Sequence, residues 1–162
     1  LAMLKYDEID LRKYSVDRCR KWGNNTDYPK SLDIIAKQHT IGEYSRLRSY
    51  EEVRDSIAAG YCVVVGSSYG YNGQCDKDGF AKQDTTWNHC LYFCAIRADK
   101  EGVLTQNSWA DWNKMPIRKY NEPIGSFWIR PEDCEKMASR GDCWVLSNHN
   151  GYPKRIDSSL SW

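Results

Sequence analysis

Asn88-His89-Cys90-Leu91-Tyr92-Phe93-Cys94-Ala95-Ile96-Arg97 reads as one buried strand, rich in aromatic and aliphatic residues and opened by a polar pair. Ala98 to Gly102 is a polar turn, and Val103-Leu104-Thr105-Gln106-Asn107-Ser108-Trp109 reads as the next strand. So short a turn forces antiparallel pairing, which brings the end of the second strand beside the start of the first. His89 and Asn107 then become neighbours. An Asn carbonyl that accepts an imidazole N–H fixes the ring's tautomer and aim, leaving the other ring nitrogen free to take a proton from a thiol. Trp109 and Trp112 follow directly and are placed to shield that bond, with Trp87 on the other side of His89.

Outward from this hairpin, strands and short helices alternate. Upstream, Ser49-Tyr50-Glu51-Glu52 is a capping box, with Tyr50, Val53 and Ile57 on one helical face and Gly60 as a left-handed stop. Tyr61-Cys62-Val63-Val64-Val65-Gly66 is a buried strand. Ser67 to Thr86, polar and glycine-bearing, reads as a long loop. Within it Asp76-Lys77-Asp78-Gly79 is an Asp-Gly turn, because the flanking positions lack the carboxylates of a calcium loop. Downstream, Gly125-Ser126-Phe127-Trp128-Ile129 is a strand. Pro131, with Glu132 and Asp133 behind it, opens a helix to about Ser139, and Cys143 to Leu146 closes the pattern. Nearer the start, Ser15 to Gly23 and Ser31 to His39 read as short helices, the second with Leu32, Ile35 and Ala36 on one face, and Ile41 to Arg48 as a strand. The fold class expected is α+β: an antiparallel sheet forming a partial barrel with flanking helices. Residues 1–48 form a helical and extended lead-in, and residues 49–162 the barrel domain.

The 162 residues are 41% hydrophobic and 28% charged, which is globular rather than disordered. A net charge of +1 supports neither nucleic-acid nor polybasic membrane binding, and no apolar run is long enough to span a bilayer. No cofactor and no metal is expected. The seven cysteines include no CxxC pair. Cys62, Cys90 and Cys94 read as buried small hydrophobes, Cys134 and Cys143 are spaced so that pairing is open, and a reducing compartment is favoured. His39 and His149 read as surface residues. The start at Leu1 reads like the interior of a longer protein, either a processed product or a chain whose earlier part is absent.

Asn88-His89-Cys90-Leu91 together with Gln106-Asn107-Ser108-Trp109-Ala110-Asp111-Trp112 resembles the papain-like cysteine peptidases, in which a His opens a core strand and an Asn-Ser-Trp run follows on the next. The resemblance runs from about Ser49 to Ile129. It implies the β-barrel half of that fold, with His89 as general base, Asn107 as its orienting partner, and Trp109 as shield. A looser resemblance to uncharacterised papain-like proteins of bacteriophages and bacteria extends to Gly141-Asp142-Cys143-Trp144. The family's nucleophile lies well upstream of the His on a long helix. Cys19, Cys62 and Cys75 lack that setting, so the helical half with its Cys is expected outside this sequence.

Three functions follow from this. One is the His/Asn part of a thiol hydrolase acting on a peptide, completed by a Cys from a missing N-terminal segment or another chain. Another is a structural protein reusing the fold without catalysis, as in a virion. The third is a binding module with a Trp-rich cleft. A protein partner or homo-oligomer is expected, covering a face exposed around Trp87, Trp109 and Trp112. A virion or the cytoplasm is favoured over secretion.

Overall fold

β-Branched and aromatic residues with inward alternation build most of the sheet. In this computed structural model, residues 28–113 and 119–149 are described. They form α1 (Ser31–Ala36), β1 (Ile41–Arg46), α2 (Tyr50–Ala58), β2 (Cys62–Cys75), β3 (Ala81–Arg97), β4 (Gly102–Gln106), β5 (Ser126–Ile129), α3 (Pro131–Ser139) and β6 (Cys143–His149). The six strands lie in the order β1-β6-β2-β3-β4-β5. The pairings of β2 with β3 and β6, of β3 with β4, and of β4 with β5 are all antiparallel. The expected helix at Ser15–Gly23 and Cys19 lie outside the described residues. Two compact units divide the chain: residues 43–147, and residues 1–42 with 148–162. The strands β2 to β5 and the helices α2 and α3 lie wholly within 43–147.

One face of the sheet makes the core. Val63, Val65, Leu91, Phe93, Val103, Phe127 and Ile129 pack there against Val53 of α2 and Cys134 and Met137 of α3. Both helices start as their sequences dictate. Ser49 Oγ accepts the Glu52 N–H at 3.2 Å, while the Glu52 carboxylate reaches past the cap residue to the Arg48 N–H at 2.6 Å. Pro131 opens α3 with Glu132 and Asp133 in its first turn. Glu135 of α3 accepts the free Tyr50 N–H of α2 at 2.6 Å, tying the two helices together. Gly60, at φ +81°, ends the α2 segment in the left-handed conformation expected.

The structure overturns the loop expected between Ser67 and Thr86. β2 runs on to Cys75 and β3 begins at Ala81, so this stretch is the outer half of a long hairpin. Its composition misleads because much of this extension faces water and its register shifts after Ser67, Gly70 and Tyr71. Only the tip is a turn. There Asp76 Oδ1 accepts the N–H groups of Asp78 and Phe80 at 2.9 and 3.0 Å, and Gly79 takes φ +84°. Arg130 holds the second Asp76 oxygen at 2.9 Å. The tip curls back to β5, where Gly79 C=O accepts the Trp128 N–H at 3.0 Å. The sheet thus rolls towards a barrel without closing.

Two further expectations are corrected. Cys90 is exposed and Cys62 and Cys94 are half-buried, because Cys62 and Cys90 alternate with the inward Val63 and Leu91 and so sit on the outer face. Among the described residues the thiols at zero exposure are Cys134 and Cys143, both free. His39, read as a surface residue, is 3% exposed, in the turn after α1 where its backbone N–H bonds to Ala36 C=O.

Candidate active site

Trp87, His89, Leu91 and Phe93 alternate along β3 with the exposed Asn88, Cys90 and Tyr92. The β3–β4 register sets Tyr92 opposite Gln106, so Asn107, just past the end of β4, comes level with the start of the apolar run. The expected hydrogen bond is present: His89 Nε2 lies 2.8 Å from Asn107 Oδ1. That same oxygen accepts the backbone N–H of Ser108 at 2.7 Å. A backbone N–H only donates, so the amide atom it meets is the oxygen. The ring nitrogen facing that oxygen must therefore be the protonated one. In the neutral imidazole Nε2 then carries the hydrogen and Nδ1 keeps the lone pair.

The loop after Asn107 is pinned to the approach to β5. Gln106 Nε2 donates to Asn107 C=O at 2.7 Å and to Ile124 C=O at 3.0 Å. Trp112 Nε1 donates to Gly125 C=O at 3.2 Å, and Asn113 Nδ2 to Ser126 C=O at 2.6 Å. Ala110, directly after Trp109, takes φ +50°, a sharp bend in the loop. Trp109 stacks on His89 with centroids 4.5 Å apart and planes 23° from parallel. Its ring is 45% exposed on the outside and covers a hydrogen bond whose acceptor residue, Asn107, is 3% exposed. Trp87 and Trp112, expected on an exposed face, are instead half-buried against the core; Trp109 alone of the three is exposed. Their edges are drawn inward by Tyr71 and Phe127.

The fold recurs in solved structures. Xylellain, a cysteine protease from Xylella fastidiosa, superposes with a TM-score of 0.53 at 18% identity over 71% of this chain. The fold is papain-like. The clostridial cysteine protease Cwp84 superposes at 0.52 and 17% identity over 77% of the chain. This papain-like chain spans 43% of the xylellain chain and 33% of the Cwp84 chain. No protein-family model and no curated protein matches its sequence.

Within the papain-like sheet, a cavity of about 570 Å³ opens beside His89, lined by Val64, Gly66, Asn88, Cys90, Asp142 and Trp144 among others. Cys90, next in sequence to His89, is exposed on the opposite side of the alternation, and burial and the Asp142 carboxylate raise its thiol pKa. Burial pushes Cys94 up to about 11 and, with Asp142 and Glu52 nearby, Cys143 up to about 12. Cys134 rises for the same first reason and then through Cys143. A nucleophilic thiol needs the reverse shift. Among the described residues no group of three or more His, Cys, Asp and Glu is placed to hold a metal ion. Sequence reasoning missed Tyr71 as a neighbour of the site's Trp cluster, because it lay in the misread loop.

Proposed function

We propose that His89 and Asn107 are the base and orienting partner of a papain-like thiol hydrolase that cleaves peptide bonds, with a nucleophilic thiol supplied from outside the described residues. The observation that carries this is the Nε2–H···Oδ1 bond, covered by Trp109, which in the neutral ring puts the lone pair on Nδ1. Nδ1 takes the proton from the thiol as sulfur attacks the amide carbonyl. The imidazolium then protonates the departing amine, and water releases the acyl group from sulfur as Nδ1 again accepts a proton. Asn107 keeps the ring in the productive tautomer through both half-reactions.

The test is peptide hydrolysis by the full gene product. We expect His89→Ala to lower kcat/KM by about 10²–10⁴-fold, with Asn107→Ala falling in the same direction. A thiol that reacts with iodoacetamide at mildly acidic pH should lose that reactivity in His89→Ala. If no thiol of the gene product depends on His89, the hydrolase reading is wrong. The second reading, a fold reused without catalysis as a subunit of a larger particle such as a virion, would then take its place. The upward-shifted thiols of Cys90, Cys94, Cys134 and Cys143 make none of these four the nucleophile under either reading.

A further inference from the structure

Four aromatic rings touch Trp87: Tyr71 at 5.8 Å between centroids, His89 at 5.6 Å, Trp109 at 5.0 Å and Trp112 at 5.8 Å. Trp109 holds His89 by stacking, but it is 45% exposed and sits on a bend at Ala110, so its own position needs support. Trp112 meets Trp109 at 5.5 Å and is anchored on Phe127 at 5.6 Å. Trp87 touches the base and its cover alike, standing nearly perpendicular to Trp109 (84°) and edge-on to His89 (65°). Such T-shaped contacts oppose the positive edge of one ring to the negative face of another and are directional. The backbone is shaped for this. Ser67 pairs with His89 and Tyr69 with Thr86, so the single residue Ser68 faces both Trp87 and Asn88. That two-for-one bulge re-aims side chains on β3 just where the cluster forms.

We propose that Trp87 is a positioning residue for His89, acting through Trp109: it braces the stacked indole so that the imidazole keeps its hydrogen bond to Asn107. That the brace serves catalysis rests on His89 being the working base; the brace itself concerns the ring's placement rather than the chemistry. Trp87 Nε1 is buried and has no hydrogen-bond partner, so its N–H contributes no bond that phenylalanine would lose. The ring edge is what matters, and Phe should substitute for it where Leu should not.

The experiment is NMR of the full chain with ¹⁵N- and ¹³C-labelled histidine. Stacking under Trp109 should shift the His89 ring protons upfield, and the Nε2–H tautomer should give distinct Nδ1 and Nε2 resonances with slow exchange of the imidazole proton. Trp87→Leu, checked for a cooperative melt, should lose most of that upfield shift and speed the proton's exchange. Trp87→Phe should restore both. A folded Trp87→Leu chain with unchanged His89 shifts overturns the proposal. Should Trp87→Leu not fold, nuclear Overhauser contacts in the wild-type chain decide: contacts from the Trp87 ring to both His89 and Trp109 support the bracing, and their absence overturns it. These signals do not depend on turnover, so a full gene product that shows them but has no thiol whose reactivity depends on His89 loses the hydrolase reading and keeps the bracing.

Discussion

Gly125 leaves no room for a side chain. It takes φ +83°, and a Cβ there would run into the Ala110 carbonyl oxygen and come within 3.3 Å of the Asn107 carbonyl oxygen. The same residue's C=O accepts the Trp112 indole N–H. We expect Gly125→Ala to cost at least about 1–2 kcal/mol from the left-handed backbone alone, measured by urea unfolding, and to disturb the Trp109 stack as the Ala110 bend gives way. An unchanged midpoint would mean that the loop relaxes freely. Phe127 tests the core beneath. It has zero exposure and packs on Tyr71 at 5.0 Å and Trp112 at 5.6 Å. Phe127→Ala removes the floor of the aromatic cluster and should cost about 3–5 kcal/mol; a loss below about 1 kcal/mol would show that the cluster collapses to fill the space.

Elements are held by their ends as much as by their faces. Ser49 satisfies one of the free amides of α2, so Ser49→Ala should lower stability by about 1 kcal/mol in chemical denaturation. The β3–β4 turn carries a different device. Arg97, with a side chain 6% exposed, donates to Asp99 at 2.6 and 3.1 Å and to Asp78 C=O at 2.7 Å, amid the rings of Phe80, Tyr120 and Trp128. The bond from Arg97, then those from Tyr120 and Lys119, hold the Asp99 carboxyl well below its ordinary range. Its folded pKa is therefore depressed. The stability it contributes is present above the ordinary carboxylate pKa of about 4 and fades as pH falls towards the folded value. Melting scans should show Asp99→Asn losing stability at neutral pH and losing less than wild type between about pH 4 and pH 2. Parallel acid limbs in the two proteins would rule the pair out as the cause. Much at this scale was legible in the sequence: the cap at Ser49, the stop at Gly60, the proline at the start of α3, and the β3–β4 hairpin each follow from local chemistry. The β2–β3 extension was not legible, because polar residues on water-facing strands look like a loop.

Across the whole molecule, thiol exposure separates the two faces of the sheet. Cys90 is exposed on the outer face, while Cys134 and Cys143 have zero exposure and thiols shifted upward by burial. Mass spectrometry after native iodoacetamide treatment should find Cys90 modified before Cys134 and Cys143, which react only as the chain unfolds. Equal rates at Cys90 and Cys134 would contradict the packing of α3 on the sheet. The sequence by itself determined the α+β class, the antiparallel order around the hairpin and the pairing of His89 with Asn107. All three depend on patterns within a few residues or across a single short turn, where chain connectivity limits the alternatives. Tertiary structure decided which cysteines are buried, that Trp87 and Trp112 face the core while Trp109 covers His89, and that the hairpin tip returns to β5. Those outcomes depend on sheet twist, on bulges, and on contacts such as Phe80 with Trp128 and Tyr71 with Trp87, between residues that local sequence does not bring together.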